Sequence, residues 1–359
     1  MIKRIWVIYF MIRLFYMFIA IFVFSKITTL GDTFDYLNTP LFFSIKVFYS
    51  STAMMQFLGA LFKKIFVMDV LACFPFMLLS FYGVYYAVKS LNLYSYATYI
   101  LILFSLPNFG IWTSILGKEA VGSFAMCVIG VMLIKKLNGC YRLRLIDYIA
   151  LYLCLLFKPQ YLLFIAQALV FIAIVRNFKD KKVFPLAFGV TIILVNFAAL
   201  YFMRDIVDLL AKGMSVHFHA SDPSLAQSTR SEAPWLEPYG FYLHAPYGML
   251  IAFFGPTPAE MLRKPAQMIA GIESLAMMFC FLRLLLPRIR HFAGTFDFNP
   301  TVWFVYFIVF AGILFVHYPF GFLNPGSAIR YRANFYPLFV LMLLNLFMYQ
   351  RKLSPRTNN

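Results

Sequence analysis

Two carboxylates stand close together in GDTFDYL, residues 31–37, directly after an almost wholly apolar stretch. Asp32 and Asp35 are three residues apart, so they share one face if the segment is helical. Such a pair can bind a cation, or one member can take a proton from an attacking hydroxyl. The alternative is a Gly-Asp helix end that faces water, and the spacing alone does not decide between them.

Lysines occur at two predicted helix ends. Lys118 and Glu119 follow the turn PNFGIWTSILG and begin the next helix. The positive N-terminal end of a helix favours Glu119 but disfavours Lys118, unless the lysine helps to bind an anion such as phosphate. Lys158 precedes Pro159 at the end of another apolar segment, where a lysine that reaches the membrane surface is the alternative.

Two arginines lie near the C-terminus in NPGSAIRYRANFYP. Arg330 and Arg332 flank Tyr331, and the pattern places them in a loop just before the last helix. The planar fork of arginine suits phosphate. This pair is the strongest predicted anion site in the chain.

The segment RSEAPWLEPYG is polar and flanked by aromatic residues. Arg230, Trp235 and Tyr239 are therefore candidate substrate contacts, although the two aromatic side chains could equally be membrane-surface anchors. Glu119 and His317 are further candidate contacts, with a plain polar loop residue as the alternative for His317. The pair His217 and His219 has no obvious third ligand nearby, so no metal site is expected there.

Together these residues predict a specific chemistry. Cations for a phosphate or diphosphate, and a carboxylate for an acceptor hydroxyl, are what sugar transfer from a lipid carrier requires. Charge builds up on the leaving phosphate in the transition state, so fixed positive groups lower the barrier. Asp32 or Asp35 would be the catalytic carboxylate.

Composition defines the elements that must hold these residues. The chain has 359 residues, of which 62% are hydrophobic, 20% aromatic and only 13% charged. A soluble domain of this length cannot hide so much apolar surface, because much of its surface must be wet. The chain is therefore predicted to be an all-α polytopic membrane protein.

Apolar segments of spanning length predict about ten transmembrane helices in a single integral membrane domain, 1–359. The first is expected to be retained, because it is too long for a signal peptide and no cleavage site follows it. The segments lie near 5–29, 69–88, 92–108, 120–134, 146–157, 160–175, 184–203, 266–286, 302–317 and 333–349.

The net charge of +17 is not a nucleic-acid signature, because the basic residues form short clusters between apolar segments. Alternate loops are strongly basic, which predicts that these loops and both termini are cytoplasmic. The clusters are Lys3/Arg4, Lys89, Lys135 to Arg144, Arg176 to Lys182, Arg283 to Arg290, and the tail from Arg351 to Arg356. Nearly all acidic residues fall in the opposite loops.

The predicted outer loops are 30–68, 107–119, 204–265 and 317–332. In the first of them, FFSIKVFYS and MMQFLGALFKK are predicted to be amphipathic segments lying in the membrane interface. The end of 204–265 is predicted to be re-entrant. The five cysteines show no metal spacing and are expected to be small core residues.

GDTFDYL after the first span, the IWTSILGKEA turn and the terminal R-x-R resemble bacterial membrane glycosyltransferases of the GT-C type. The resemblance implies a polyprenyl-phosphate-linked sugar donor, used on the outer face of the bacterial inner membrane in surface-polysaccharide synthesis. It gives Asp32 or Asp35 the role of base or metal ligand, with a divalent cation left open as cofactor. It gives lipid-phosphate binding to Lys118, Lys158, Arg330 and Arg332.

Many such enzymes carry a C-terminal soluble domain, which this chain is expected to lack. In this it is similar to O-antigen polymerases, which implies that the transferred group is a single sugar or a growing glycan. Chain-length regulators or other polysaccharide-assembly proteins would then be partners. The alternative from another class is a lipid-linked sugar flippase. Charged residues in the middle of membrane helices would favour a flippase, and Arg13 and Glu273 come closest to that position.

Overall fold

The computed structural model describes residues 2–139, 141–178, 183–220, 230, 237–295 and 299–353. Within these ranges the chain is helical and contains no β-strand. Several residues singled out from the sequence lie outside the described part. They include Cys140, Trp235, the side chains of His217 and His219, the basic residues Lys179, Lys181 and Lys182, and the tail from 354 onward.

Helices follow one another along the whole described chain. They are α1 (Ile2–Phe22), α2 (Thr33–Asn38), α3 (Ser51–Phe66), α4 (Asp69–Ser90), α5 (Ala97–Phe104), α6 (Pro107–Trp112), α7 (Lys118–Asn138), α8 (Leu145–Phe157), α9 (Pro159–Arg176), α10 (Val183–Phe202), α11 (Arg204–Ala220), α12 (Gly240–Leu243), α13 (Ala245–Phe254), α14 (Pro258–Met261), α15 (Pro265–Thr295), α16 (Pro300–Leu323) and α17 (Pro325–Leu353). Short 3-10 helices occupy Phe24–Lys26, Ile45–Phe48 and Leu93–Tyr96.

The predicted class is confirmed at the level of a multi-pass helical membrane protein. In the described ranges, seven helices are long and apolar enough to cross a membrane, whereas the sequence pattern predicted about ten. They are Arg4–Lys26, Asp69–Ser90, Lys118–Asn138, Pro159–Arg176, Val183–Phe202, Pro265–Pro287 and Pro300–Leu323.

The difference from ten lies in three apolar segments. The segment near 92–108 forms only the short apolar helix Leu93–Phe104, and the segment 146–157 forms α8, which has 13 residues. A 13-residue helix rises about 20 Å, well short of the roughly 30 Å hydrocarbon core. The last apolar segment lies within α17, whose first turns already carry two arginines. The cytoplasmic orientation of both termini stays a prediction.

The predicted loop 317–332 is helical. α16 continues to Leu323, and α17 begins at Pro325, so only Asn324 separates them. The amide oxygen of Asn324 accepts a hydrogen bond of 3.0 Å from the backbone N–H of Ser327. An asparagine cap followed by proline at the first helical position is a helix-start signal, which explains why this helix starts ahead of the two arginines.

The first predicted outer loop also contains helices. MMQFLGALFKK lies within α3, whereas FFSIKVFYS contributes only the single 3-10 turn Ile45–Phe48. The side chain of Ser50 accepts a hydrogen bond from the backbone N–H of Ala53 and so caps the start of α3. The position of these segments relative to a membrane interface stays a prediction.

The chain folds as two compact units. The first comprises Met1–Leu162, Leu275–Gly294 and Ala333–Asn359, and the second comprises Leu163–Ser274 and Thr295–Arg332. In the first unit α7 is the central helix: every residue from Glu119 to Ile134 is buried, and α4 and α8 pack against it. α1 packs against α4 and α6, and α2 packs against α3.

In the second unit α13 packs against α16. The two helices come close together at Gly248, since a methyl group there would overlap the ring of Tyr318. Phe241 of α12 and Phe322 of α16 belong to the same buried apolar cluster. This packing places the end of α16 and the start of α17 beside α13.

Candidate functional site

Asp32 lies at the N-cap position of α2, and its side chain makes no capping hydrogen bond. Gly31 has φ +58°, a left-handed conformation that glycine adopts at little cost. The Tyr36 hydroxyl donates a hydrogen bond of 2.9 Å to Oδ2 of Asp32, and the carboxylate is half-buried. Asp35, one turn later, is exposed. The two carboxylates of GDTFDYL therefore have different environments.

The turn between α6 and α7, residues 113–117, is buried and is tied to the start of α2. The hydroxyl of Thr33 donates a hydrogen bond of 2.9 Å to the backbone carbonyl of Leu116. The backbone N–H of Leu116 donates to Sγ of Cys73 in α4, at 3.3 Å. Thr33 adjoins Asp32, and Leu116 lies two residues before Lys118. These contacts join the segment of the predicted catalytic carboxylates to the segment of the predicted phosphate-binding Lys118.

Lys118 is the first residue of α7, as the sequence predicted, and Glu119 is the second. The ammonium group of Lys118 donates a hydrogen bond of 2.9 Å to the hydroxyl of Thr52 in α3. Glu119 is buried, with 2% of its surface exposed. Lys118 thus lies in the first turn of α7, and both its positive charge and the positive N-terminal end of the helix favour an anion.

α3 supports the helix that carries Asp32. A methyl group at Gly59 would lie 2.5 Å from the backbone oxygen of Tyr36 and 2.8 Å from its carbonyl carbon. Glycine within a helix costs about 1 kcal/mol relative to alanine, so its presence here fits the need for close packing. The Tyr36 backbone cannot rotate away as a flexible side chain could.

Gly59→Ala is expected to push α2 away from α3 and to lower the free energy of unfolding by about 1–3 kcal/mol. The matched control is Gly213→Ala in α11, where a methyl group meets nothing within 4 Å. That control should keep the parent's stability or gain up to about 1 kcal/mol from helix propensity. Thermal unfolding of the purified variants measures both; equal midpoints for the two variants would contradict the close packing at Gly59.

Lys158 lies between α8 and α9 and is half-buried. Its backbone N–H donates to the carbonyl of Cys154 at 2.8 Å, and Pro159 begins α9, as expected for a proline at a first helical position. α8 also reaches the first outer segment, because the Tyr152 hydroxyl donates a hydrogen bond of 2.8 Å to the carbonyl of Phe48. Lys158 thus belongs to the same unit as Asp32 and Lys118.

Arg332 differs most from its predicted setting. It lies inside α17, with 3% of its surface exposed, rather than in a loop. Its Nη1 donates to the carbonyl of Phe253 at 2.6 Å and to the hydroxyl of Ser274 at 2.9 Å, and its Nη2 donates to Oε1 of Glu273 at 2.9 Å. A buried ion pair with Glu273 joins α17 to α15 within the second unit.

Arg330, two residues earlier, is half-buried, and its guanidinium lies 5.2 Å from the centroid of the Tyr331 ring. His317, predicted in a loop, is fully buried inside α16. Tyr239 is 47% exposed and has φ +60° at the start of α12. All three belong to the second unit, as does Arg332.

Arg230 is joined to the C-terminal end of α16. Its Nε and Nη2 donate to the two carboxylate oxygens of Glu260 at 2.5 and 2.7 Å. Its Nη1 donates to the carbonyl of Gly321, and its backbone N–H donates to the carbonyl of Leu323 at 2.8 Å. Arg230 was predicted to be a substrate contact. In the structure its guanidinium group instead donates hydrogen bonds to Glu260 and to a carbonyl at the end of α16.

The Arg230–Glu260 contact is expected to weaken in acid. Burial raises the pKa of Glu260, but hydrogen bonds from Arg230 and Thr257 outweigh burial, so the pKa lies below its ordinary value of 4.5. A lowered pKa in the folded state means that the contribution to stability is present above 4.5 and disappears as the pH falls further. The unfolding midpoint of the parent should therefore drop more steeply between pH 5 and pH 3 than that of Glu260→Gln.

At neutral pH, Glu260→Gln should cost about 1–3 kcal/mol, because it leaves a charged hydrogen-bond partner incompletely satisfied. Asp205→Asn is a matched control, since Asp205 is 90% exposed in its side chain and lies in the same unit. Parallel pH profiles for the parent and Glu260→Gln would show that the pair does not control acid stability.

The structure brings together Asp32, Lys118 and Glu119 within one unit, with Asp35 and Lys158 in that same unit. In the described part of the chain, no group of three or more His, Cys, Asp or Glu side chains is placed to hold a metal ion. The partners Tyr36, Thr33 and Thr52 were not found from the sequence, because an isolated hydroxyl carries no pattern. The sequence did contain a pattern that marks Glu260: TPAE matches a capping box, in which Thr257 and Glu260 cap the start of α14.

Comparisons of the chain with protein-family models, with curated proteins and with solved structures found no match. In its described part the chain is an all-helical, multi-pass membrane protein. Asp32 lies at the N-cap of α2, and Lys118 lies at the first position of α7.

Proposed function

We propose that the protein is a membrane glycosyltransferase that moves a sugar or oligosaccharide from a polyprenyl-phosphate or polyprenyl-diphosphate carrier to an acceptor hydroxyl. The observation that carries the proposal is the Thr33–Leu116 hydrogen bond of 2.9 Å, which joins the segment of Asp32 to the turn before Lys118. A proton acceptor and an anion site are thereby held on neighbouring elements.

The reaction assigns each group a role. Asp32 takes the proton from the acceptor hydroxyl, and the acceptor oxygen forms a bond to the anomeric carbon of the sugar. The bond between that carbon and the carrier's phosphate oxygen breaks, and its electron pair stays on the phosphate. Lys118 and the N-terminal end of α7 stabilise the charge that develops there.

Positive groups already in position need no rearrangement during the reaction, which is why such charges lower the barrier in a site shielded from water. The hydrogen bond from Lys118 to Thr52 supports this role, because it limits the conformations of a long flexible side chain. Lys158, which lies in the same unit, is proposed as a further contact to the carrier's phosphates. The cellular setting would be surface-polysaccharide assembly at the bacterial inner membrane.

A lipid-linked sugar flippase is the second candidate, and charged groups buried within helices favour it. Arg13 in α1 and the Arg332–Glu273 pair are the relevant groups, with exposures of 5% or less. The pair is internally neutralised, however, and Arg13 is engaged by hydroxyl and carbonyl groups. Both arrangements serve structure as readily as transport, so the transferase remains the better supported proposal.

Reconstitution separates the two candidates. The purified protein in vesicles receives a panel of polyprenyl-phosphate-linked and polyprenyl-diphosphate-linked sugars, with a lipid-linked acceptor glycan. Mass spectrometry of the lipid extract should show a new glycosidic product together with the released carrier phosphate. Donor that only changes leaflet, with no new bond in any combination, would support the flippase and contradict the transferase.

A further inference from the structure

Arg13 is a charged residue in the middle of the first apolar helix. Its side chain is fully buried, with 0% of its surface exposed. A charged side chain at membrane depth is costly and is usually associated with function or with a specific partner. Within the described part of the chain, Arg13 forms no ion pair with a carboxylate, so its partners are neutral.

Those partners lie on two other elements of the same unit. Nη1 of Arg13 donates to the hydroxyl of Thr113 at 2.6 Å, and Nη2 donates to the backbone carbonyl of Thr113 at 2.5 Å. Nη2 also donates to the hydroxyl of Ser80 in α4, at 2.6 Å. The rings of Tyr9 and Phe109 lie 5.9 and 5.5 Å from the guanidinium carbon.

Thr113 begins the turn that ends at Lys118. One end of this turn is therefore held by Arg13, and the other end is held by the Thr33 and Cys73 contacts to Leu116. Residues 113–116 are buried, with 1% exposure or less, and only Gly117 separates them from Lys118. A methyl group at Gly110 would overlap the Tyr16 ring, so α1 and α6 also pack closely beside this network.

We propose that Arg13 is a positioning residue: it holds the 113–117 turn so that Lys118 stands beside the segment of Asp32. The inference rests on the proposed function for its catalytic meaning. The planar guanidinium group of Arg13 is suited to holding the turn, because it donates at once to the Ser80 hydroxyl on α4 and to two acceptors of Thr113. Bonds from a charged donor to neutral acceptors also hold more strongly than bonds between neutral groups.

Cys73 provides a native reporter of the turn that does not depend on activity. Its thiol is fully buried and accepts the hydrogen bond from the Leu116 backbone. In a full-length chain with the other cysteines replaced by alanine, a maleimide can label only Cys73. The replaced residues are Cys127, Cys140, Cys154 and Cys280.

In this background Arg13→Met should increase the labelling rate of Cys73 by about 10- to 100-fold, because the turn opens more often once its charged hydrogen bonds are lost. The matched control is Arg4→Met, an exposed arginine of the same helix, which should label at the parent rate. Unchanged protection in Arg13→Met at the parent's membrane level overturns the inference.

If Arg13→Met does not accumulate in the membrane, Arg13→Lys decides the question. Lysine keeps the charge but cannot reach Ser80 and both acceptors of Thr113 with one fork. An intermediate labelling rate is therefore expected. A rate equal to that of the parent overturns the inference.

Transfer kinetics add the catalytic readout. Per folded molecule, Arg13→Lys should lower kcat by about 10- to 100-fold while KM for the donor changes less than about threefold, because misplacement of reacting groups mainly affects the chemical step. A change in KM alone overturns the positioning role. If the parent shows no transfer, the proposed function fails, whereas the Cys73 result still tests whether Arg13 holds the turn.

Discussion

Replacing Asp32 with asparagine is expected to reduce sugar transfer by about 10²- to 10⁴-fold, the usual contribution of a positioned proton acceptor. Asparagine keeps the shape of the side chain and can still accept the hydrogen bond from Tyr36, but it cannot take the proton. The protein should therefore insert and fold as the parent does. Product formation in reconstituted vesicles, per folded molecule, is the measurement.

Asp35→Asn is the matched control for Asp32→Asn. Both residues belong to GDTFDYL, but Asp35 is exposed, whereas Asp32 is half-buried beside Tyr36. If Asp32 is the base, Asp35→Asn should cost much less activity, and a chelator should have little effect. If the two carboxylates hold a cation, both substitutions should cost similar activity, and a chelator should mimic them.

Full transfer by Asp32→Asn would remove the catalytic carboxylate from the proposal. The alternative explanation of the spacing, a Gly-Asp helix end that faces water, would then apply to GDTFDYL. The Thr33–Leu116 contact would remain as a structural link between α2 and the turn before α7.

The second large effect is expected at the Arg332–Glu273 pair. Arg332→Met should lower the free energy of unfolding by about 3–5 kcal/mol, because it leaves the buried carboxylate of Glu273 without its cation. Both side chains have an exposure of only 3%. The measurement is the unfolding midpoint of the purified protein, together with its level in the membrane.

A double substitution distinguishes this explanation from phosphate binding. Arg332→Met combined with Glu273→Met should recover most of the lost stability, because no unpaired charge remains and the apolar side chains can pack. Arg330→Met is the positional control; it removes a half-buried cation beside Tyr331 and should cost only about 0.5–1 kcal/mol.

A different result would restore the sequence-based interpretation of Arg332. If Arg332→Met is as stable as the parent but uses the donor lipid poorly, its principal role is phosphate recognition. An activity loss in a single alanine variant does not make this distinction, because instability and lost recognition both reduce transfer. The stability of the double variant is therefore the informative quantity.

Local patterns predicted several elements of the fold correctly. α7 begins at Lys118, and the interruption expected at Pro159 lies between α8 and α9, because helix N-termini and proline have strong local preferences. Local signals also existed where the prediction failed. Asn324–Pro325 is a helix start, so the arginines of NPGSAIRYR belong to α17 rather than to a loop.

The class is confirmed, but the number of membrane-crossing helices stays a prediction, because seven helices of the described residues meet the length and composition of a span. Hydropathy identifies an apolar segment, but the length of regular helix within that segment depends on where turns interrupt it. Two residues separate the end of α5 from Pro107, which begins α6, and α8 has only 13 residues. Both segments are apolar, but the helices that they form are shorter than a helix that crosses the hydrocarbon core.

The sequence by itself determined that this is a helical membrane protein and that Asp32 and Lys118 stand at the ends of apolar segments, because hydropathy and helix-end preferences act over a few residues. Tertiary structure alone decided the partners of each charge. Arg13 meets Thr113 one hundred positions away, and Arg332 meets Glu273 at a separation of 59. Such pairings arise from helix packing, so no local pattern records whether a buried arginine binds a carbonyl, a carboxylate or a substrate phosphate.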